Sequence, residues 1–215
     1  MMADLSVQIV SDVMCPWCLI GKRRLEQALE NVDDLDIAVA WRPFQLDATL
    51  PLEGLDRQTY LKNKFGDQAG PFYDHIRETG AAEGIAFDFE AIKLSPNTLN
   101  AHRLIHWAEG AGCQDAVVEA LFVAYFLNGE NTGDQNVLTR IAAAAGMDQK
   151  IVADLLDGDA DLDRVQQDIA TAQQLGVSGV PCFIINNKYA ISGAQPAEVL
   201  ERAFKEIAAE ADTKS

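Results

Sequence analysis

This sequence encodes an α/β fold in the order βαβ, helical block, ββα, and three observations say so. Leu5 to Ile9 alternate apolar with polar residues, and a helical run follows them directly. The stretch from about Leu55 to Gly176 is patterned for helices. Two β-rich segments around Asn186-Asn187-Lys188 and a last amphipathic run close the chain.

Taken in order, Leu5, Val7 and Ile9 form one face of the first strand, with Ser6 and Gln8 opposite. Pro16 suits the first helical turn, where a missing N–H costs no bond, and Leu19, Ile20, Leu25, Ala28 and Leu29 supply the apolar stripe. Asp36 to Trp41 reads as a second strand. The small Ala38 and Ala40 opposite Ile37, Val39 and Trp41 predict packing on both of its faces, as in a parallel sheet flanked by helices. In the central block, Ser95-Pro96 predicts a helix start carrying Leu99, Leu104, Ile105 and Ala108. Asp115 opens a helix with a broad apolar face from Val117 to Phe126, and Asp134 and Asp148 read as caps of two more. Asp161 begins another, which Gly176 ends. Cys182 to Ile185 and Tyr189 to Ile191 read as a hairpin, and Pro196 opens the final helix, with fraying expected after about Glu210.

The chain has 215 residues, 48% of them hydrophobic and 23% charged, an ordinary globular composition. Seventeen basic against thirty-three acidic side chains give a formal charge of −16. Such a surface repels phosphate backbones and anionic lipid, so neither nucleic acid nor a membrane surface is an expected partner. The start Met1-Met2-Ala3-Asp4-Leu5 has no basic region and no long apolar core, so a cytoplasmic location is expected. Four cysteines are too few for a disulfide scaffold in a chain this long.

Cys15-Pro16-Trp17-Cys18 lies at the junction between the first strand and the first helix. A helix N-terminus offers unpaired N–H groups and the positive end of its dipole to Cys15, which favours the thiolate. A thiolate with a second thiol two residues on can attack a disulfide and be released by internal attack. Cys15 is therefore the candidate nucleophile and Cys18 the resolving thiol. A closed zinc site would need four ligands, and the sequence has no second CxxC. Pro16 and Trp17 would tune the thiolate and present an aromatic to substrates. Asp12 would oppose the thiolate if close, or take the Cys18 proton. Lys22, four residues beyond Cys18, reads as a solvated lysine, Cys113 as structural and His75 as surface. His102 and His106 share a metal-capable spacing, but no third ligand is apparent, so no metal is expected.

This order, with CPWC after the first strand and Gly179-Val180-Pro181 before the third, resembles the thioredoxin superfamily, and specifically the DsbA family. Trp41-Arg42-Pro43-Phe44, Asn97-Thr98 with Ala101-His102-Arg103, Ala124-Tyr125-Phe126 and Ser192-Gly193-Ala194-Gln195-Pro196 resemble its cytoplasmic FrnE-like branch. The resemblance implies a thioredoxin-like fold formed by residues 1–50 and 177–215, interrupted by a helical insertion at 51–176. It implies a thiol–disulfide oxidoreductase that exchanges disulfides with proteins or small thiols. It implies that Pro181 is cis against the CxxC and that the Val180 main chain pairs with substrate. It places Asn97, His102 and Arg103 on a helix facing the active-site groove, for substrate contact or for buried hydrogen bonding. No cofactor is required; glutathione is a candidate redox partner, and a homodimer is compatible with the family.

Cys182 follows Pro181 directly, so it is a third thiol that could trap a disulfide with Cys18 or help bind a metal, or else a small packing residue. Two other functions fit the same architecture. Kappa-class glutathione transferases and hydroxychromene-carboxylate isomerases typically carry serine at the first motif position, which Cys15 is not; Ser192 could then hold a glutathione carboxylate. A redox-regulated peptide-binding chaperone needs no turnover.

Overall fold

The computed structural model describes residues 4–212, so the expectation for the extreme C-terminus falls largely outside it. The chain runs β1 (Leu5–Ser11), α1 (Pro16–Glu30) and β2 (Ile37–Pro43), then β3 (Leu55–Asp56), α2 (Arg57–Phe65), α3 (Ala69–Ala82) and β4 (Leu94–Ser95). It continues through α4 (Leu99–Gly110), α5 (Gln114–Phe126), α6 (Gln135–Ala144), α7 (Gln149–Asp157) and α8 (Leu162–Gln174). It ends with β5 (Cys182–Ile185), β6 (Tyr189–Ser192) and α9 (Ala197–Asp212). No helix among the described residues is long and apolar enough to cross a membrane.

The main sheet has the order β2-β1-β5-β6, with β1 parallel to β2 and antiparallel to β5. This is the thioredoxin-like arrangement, with the helical block between β2 and β5. Strand parity sets the two faces. Leu5, Val7 and Ile9 join Phe183 and Ile185 in the large core shared with Leu19 and Ile20 of α1 and Leu200 and Phe204 of α9. Val10 and Cys182, opposite each other in register, join Phe44, Ala172 and Val177 in a separate cluster. The hairpin closes through Asn186 and Asn187, both at positive φ, the pair of left-handed residues that a two-residue turn requires.

Three local expectations differ from the structure. The strand β2 is the sheet edge, and Ala38 and Val39 are exposed, so two-sided burial fails there. Alternation of small and large side chains cannot tell an edge from a centre. Ser95 belongs to β4 instead of capping a helix, and α4 starts at Leu99. The Asn97 side chain takes the Leu99 N–H at 3.0 Å, doing locally what Ser95 was expected to do. The pairing of β3 with β4 is a small second sheet that no periodicity announced, because each strand has two residues. Asp134 and Asp148 do cap α6 and α7, accepting main-chain N–H groups in the first turn.

Lys22 is a further correction, being only 3% exposed. Its ammonium faces Glu26, Asp115 and Glu119, so it ties α1 to α5. Burial alone would push the Glu119 carboxyl up, but hydrogen bonds and charge from Arg23 and Lys22 outweigh it and hold it below the ordinary range. A depressed carboxyl stabilises the fold above its unfolded value, about 4.3, and loses that contribution as pH falls through the folded value. Glu119→Gln is therefore expected to cost about 1 kcal/mol at pH 7 after solvent screening. The gap from the parent should narrow as the pH is taken below about 4. Urea titrations at pH 7 and pH 3 check both statements.

Candidate active site

The active-site turn is built on Asp12, which is fully buried. Its main-chain carbonyl accepts the Cys15 N–H at 3.0 Å. Its carboxylate accepts the Leu46 N–H at 2.7 Å and the Met14 N–H at 3.4 Å. Cys15 then occupies the cap position of α1 with extended backbone, and Pro16 follows in the first turn.

Both motif cysteines are buried, Cys15 at 4% exposed, but only Cys15 lines a cavity. Cys18 is 1% exposed; burial first, then the hydrogen bond and charge of Cys15, push its thiol well above the ordinary value, against smaller opposing contacts with Ser11 and the Asp12 main chain. At neutral pH that thiol keeps its proton. The Cys15 thiol donates to the Val180 carbonyl at 3.5 Å. The Cys18 N–H donates to the Cys15 carbonyl at 3.0 Å.

The Val180–Pro181 peptide is cis, and Pro181 abuts α1. A Cβ added to Gly21 would lie 2.8 Å from Pro181 Cγ, so only a glycine permits this close approach. The Pro181 carbonyl accepts the Gly193 N–H at 2.8 Å, which fixes the turn from its other side. The Val180 N–H has no partner among the described residues.

Cys15, Pro16 and Trp17 open on a cavity of about 210 Å³, walled also by Met14, Leu46, Gly179 and Val180. Its far wall comes from α2 and α3: Arg57, Tyr60, Lys64, Phe65, Phe72 and Tyr73. Sequence reading missed this wall entirely. The Phe65, Phe72 and Tyr73 cluster was the available signal, yet aromatics in helices ordinarily mean core. Trp17 is half-buried, and its ring lies 5.7 Å from that of His75, so His75 supports the motif from α3 although exposed.

The remaining candidates do not gather here. Arg103 is 1% exposed and hydrogen-bonded to the carbonyls of Leu155, Gly158 and Ala160. Asn97 is buried too, its amide donating to the Leu50 carbonyl at 2.7 Å. His102 is buried with Nε2 3.5 Å from Asp12 Oδ1 and no hydrogen-bond partner for that nitrogen. All three are buried, and none lines the Cys15 cavity. Ser192 is exposed on β6 opposite Cys182 and lines no wall of the Cys15 cavity. Cys182 is buried with Val10, Phe44, Ala172 and Val177, on the sheet face opposite the one that packs on α1. Cys113 is half-buried at the start of α5, and no disulfide links the four thiols.

Comparison with known proteins gives one consistent result. A family model described as a DSBA-like thioredoxin domain matches residues 6–205. A probable DsbA oxidoreductase from Streptomyces coelicolor superposes with a TM-score of 0.87 at 34% identity, over 94% of this chain and 89% of that one. The protein YwbO of Bacillus subtilis (strain 168), itself uncharacterized, is 26% identical over 201 residues, covering 93% of this chain and 96% of its own. The cytosolic disulfide reductase DsbM from Pseudomonas aeruginosa with GSH shares the fold at a TM-score of 0.62 and 17% identity, over 97% and 98% of the two chains.

Proposed function

This chain belongs to the DSBA-like thioredoxin domain family, and on that premise we propose that it is a thiol–disulfide oxidoreductase in which Cys15 attacks and Cys18 resolves. The observation that carries the reading is the pairing of unequal thiols beside a main-chain edge. Cys15 lines the cavity with its sulfur at the Val180 carbonyl, while Cys18 waits buried and protonated one turn inside α1. An attacking thiol must reach its substrate, and a resolving thiol must be withheld until a mixed disulfide forms.

The Val180 N–H, without a partner among the described residues, together with its carbonyl would pair with an extended segment bearing the substrate cysteine. Asp12 positions Cys15 through the main chain. A glutathione-dependent isomerase would have no use for a buried second thiol hydrogen-bonded to the first. A reducing compartment, with glutathione as resetting partner, suits the reading.

The test is a redox titration of the whole protein in glutathione buffers, with thiols counted by mass spectrometry. One two-electron transition linking Cys15 to Cys18 is expected, unchanged by Cys182→Ala. A chain that forms no such bond, or that pairs either cysteine with Cys182 or Cys113, would overturn the proposal.

A further inference from the structure

We propose that the cavity beside Cys15 is a subsite for small disulfides and thiols that carry a carboxylate, with Arg57 and Lys64 selecting the anion. This rests on the thiol–disulfide reading and adds the charge class of the substrate.

Arg57 is 5% exposed and lines the cavity. Its guanidinium donates to the hydroxyls of Ser95 at 3.2 Å, Tyr125 at 3.4 Å and Tyr73 at 2.6 Å. It lies over the Tyr73 ring at 5.2 Å and the Tyr60 ring at 6.0 Å. Every one of these groups is neutral at pH 7, and burial raises both the Tyr73 and Tyr125 hydroxyls further from ionisation. No carboxylate pairs with Arg57 among the described residues, whereas Lys22, Arg23, Arg24, Arg42 and Arg77 each face one. Lys64 stands at the rim of the same cavity, donating to the Tyr60 hydroxyl at 2.8 Å, again with no carboxylate partner among the described residues.

A buried cation without a counter-charge is costly, and the expense persists until an anion arrives. The buried Arg57 and the exposed Lys64 line one cavity whose described walls carry no acidic side chain, in a chain with thirty-three acidic and seventeen basic residues. The remaining walls, Met14, Trp17, Leu46, Phe65 and Phe72, are apolar and would hold the carbon body of the ligand. At about 210 Å³ the space suits a small molecule or part of one, and Cys15 lies on its wall. The ligand class is therefore a compact disulfide with a carboxylate a few bonds from sulfur.

The chemistry is exchange. The Cys15 thiolate attacks one sulfur of RS–SR, a Cys15–SR bond forms, the S–S bond breaks and RS⁻ leaves. Cys18 then loses its proton and attacks the Cys15 sulfur, and the second RS⁻ leaves. The protein dithiol is oxidised and RSSR is reduced to two thiols, which take up the protons.

The experiment measures oxidation of the reduced protein by 3,3′-dithiodipropionate, bis(2-hydroxyethyl) disulfide and cystamine. Each rate is divided by that of a free thiol with the same disulfide. The anionic compound is expected to exceed the neutral one by at least about tenfold, the scale of a hydrogen bond to a charged group. In Arg57→Gln and in Lys64→Gln that ratio should fall towards one. Because Lys64 is exposed, its variant keeps the test decisive should Arg57→Gln fail to fold. A ratio near one in the parent, or a ratio retained in every variant that folds, overturns the proposal. Absence of exchange with all three compounds would instead defeat the thiol–disulfide reading beneath it.

Discussion

Cys15→Ser is expected to lower disulfide exchange by at least about 10³-fold, the scale on which loss of a catalytic nucleophile acts. A serine hydroxyl cannot supply the anion that attacks sulfur, and neither Cys182 nor Cys113 lies on the cavity wall to substitute. Cys18→Ser should behave differently. Attack by Cys15 remains, but nothing resolves the product, so a covalent mixed disulfide at Cys15 should accumulate and turnover should stop after one event. Mass spectrometry of each variant after exposure to a peptide disulfide reads the distinction. Equal loss with no adduct in Cys18→Ser would assign the two sulfurs a joint role, which the placement of Cys15 alone on the cavity wall does not predict.

Arg103→Ala is expected to destabilise the fold by about 3–5 kcal/mol. The guanidinium satisfies the Leu155 carbonyl at 2.6 Å and the Gly158 carbonyl at 2.9 Å, where α7 ends, and the Ala160 carbonyl at 2.8 Å before α8. It also lies 5.1 Å from the Trp107 ring. Alanine would leave these carbonyls without their buried donor, and no nearby cation can replace a planar fork that reaches all of them. Arg103→Lys should recover only part of the loss. Urea unfolding of the two variants checks it, and a change below about 1 kcal/mol would show that the α7–α8 corner is held by other means.

What could be read from the sequence was local. The CPWC motif, the hairpin at Asn186-Asn187 and the caps at Asp134 and Asp148 each depend on residues within a few positions of one another, so spacing suffices. Arg103 illustrates the opposite case. A polar residue on a helix serves a groove or an interior according to which neighbours approach it, and its partners lie more than fifty residues away in α7 and the turn after it. The same holds for Cys182. Adjacency to Pro181 suggested a third redox thiol, but alternation along β5 sends Phe183 towards the α1 face and Cys182 to the other. Arg57 and the aromatic wall were invisible for a further reason: a cavity has no period, and its sides come from segments that share no motif.

Asp12 has a consequence for the dimensions of the cavity. The same residue anchors Cys15 through its carbonyl and Leu46, on the adjoining wall, through its carboxylate. The reach of the nucleophile and the width of the aperture are thereby referred to one datum, and neither can drift without the other. Exchanging the dipeptide between the cysteines would retune the sulfur while leaving that gauge intact; replacing Asp12 would decalibrate both at once.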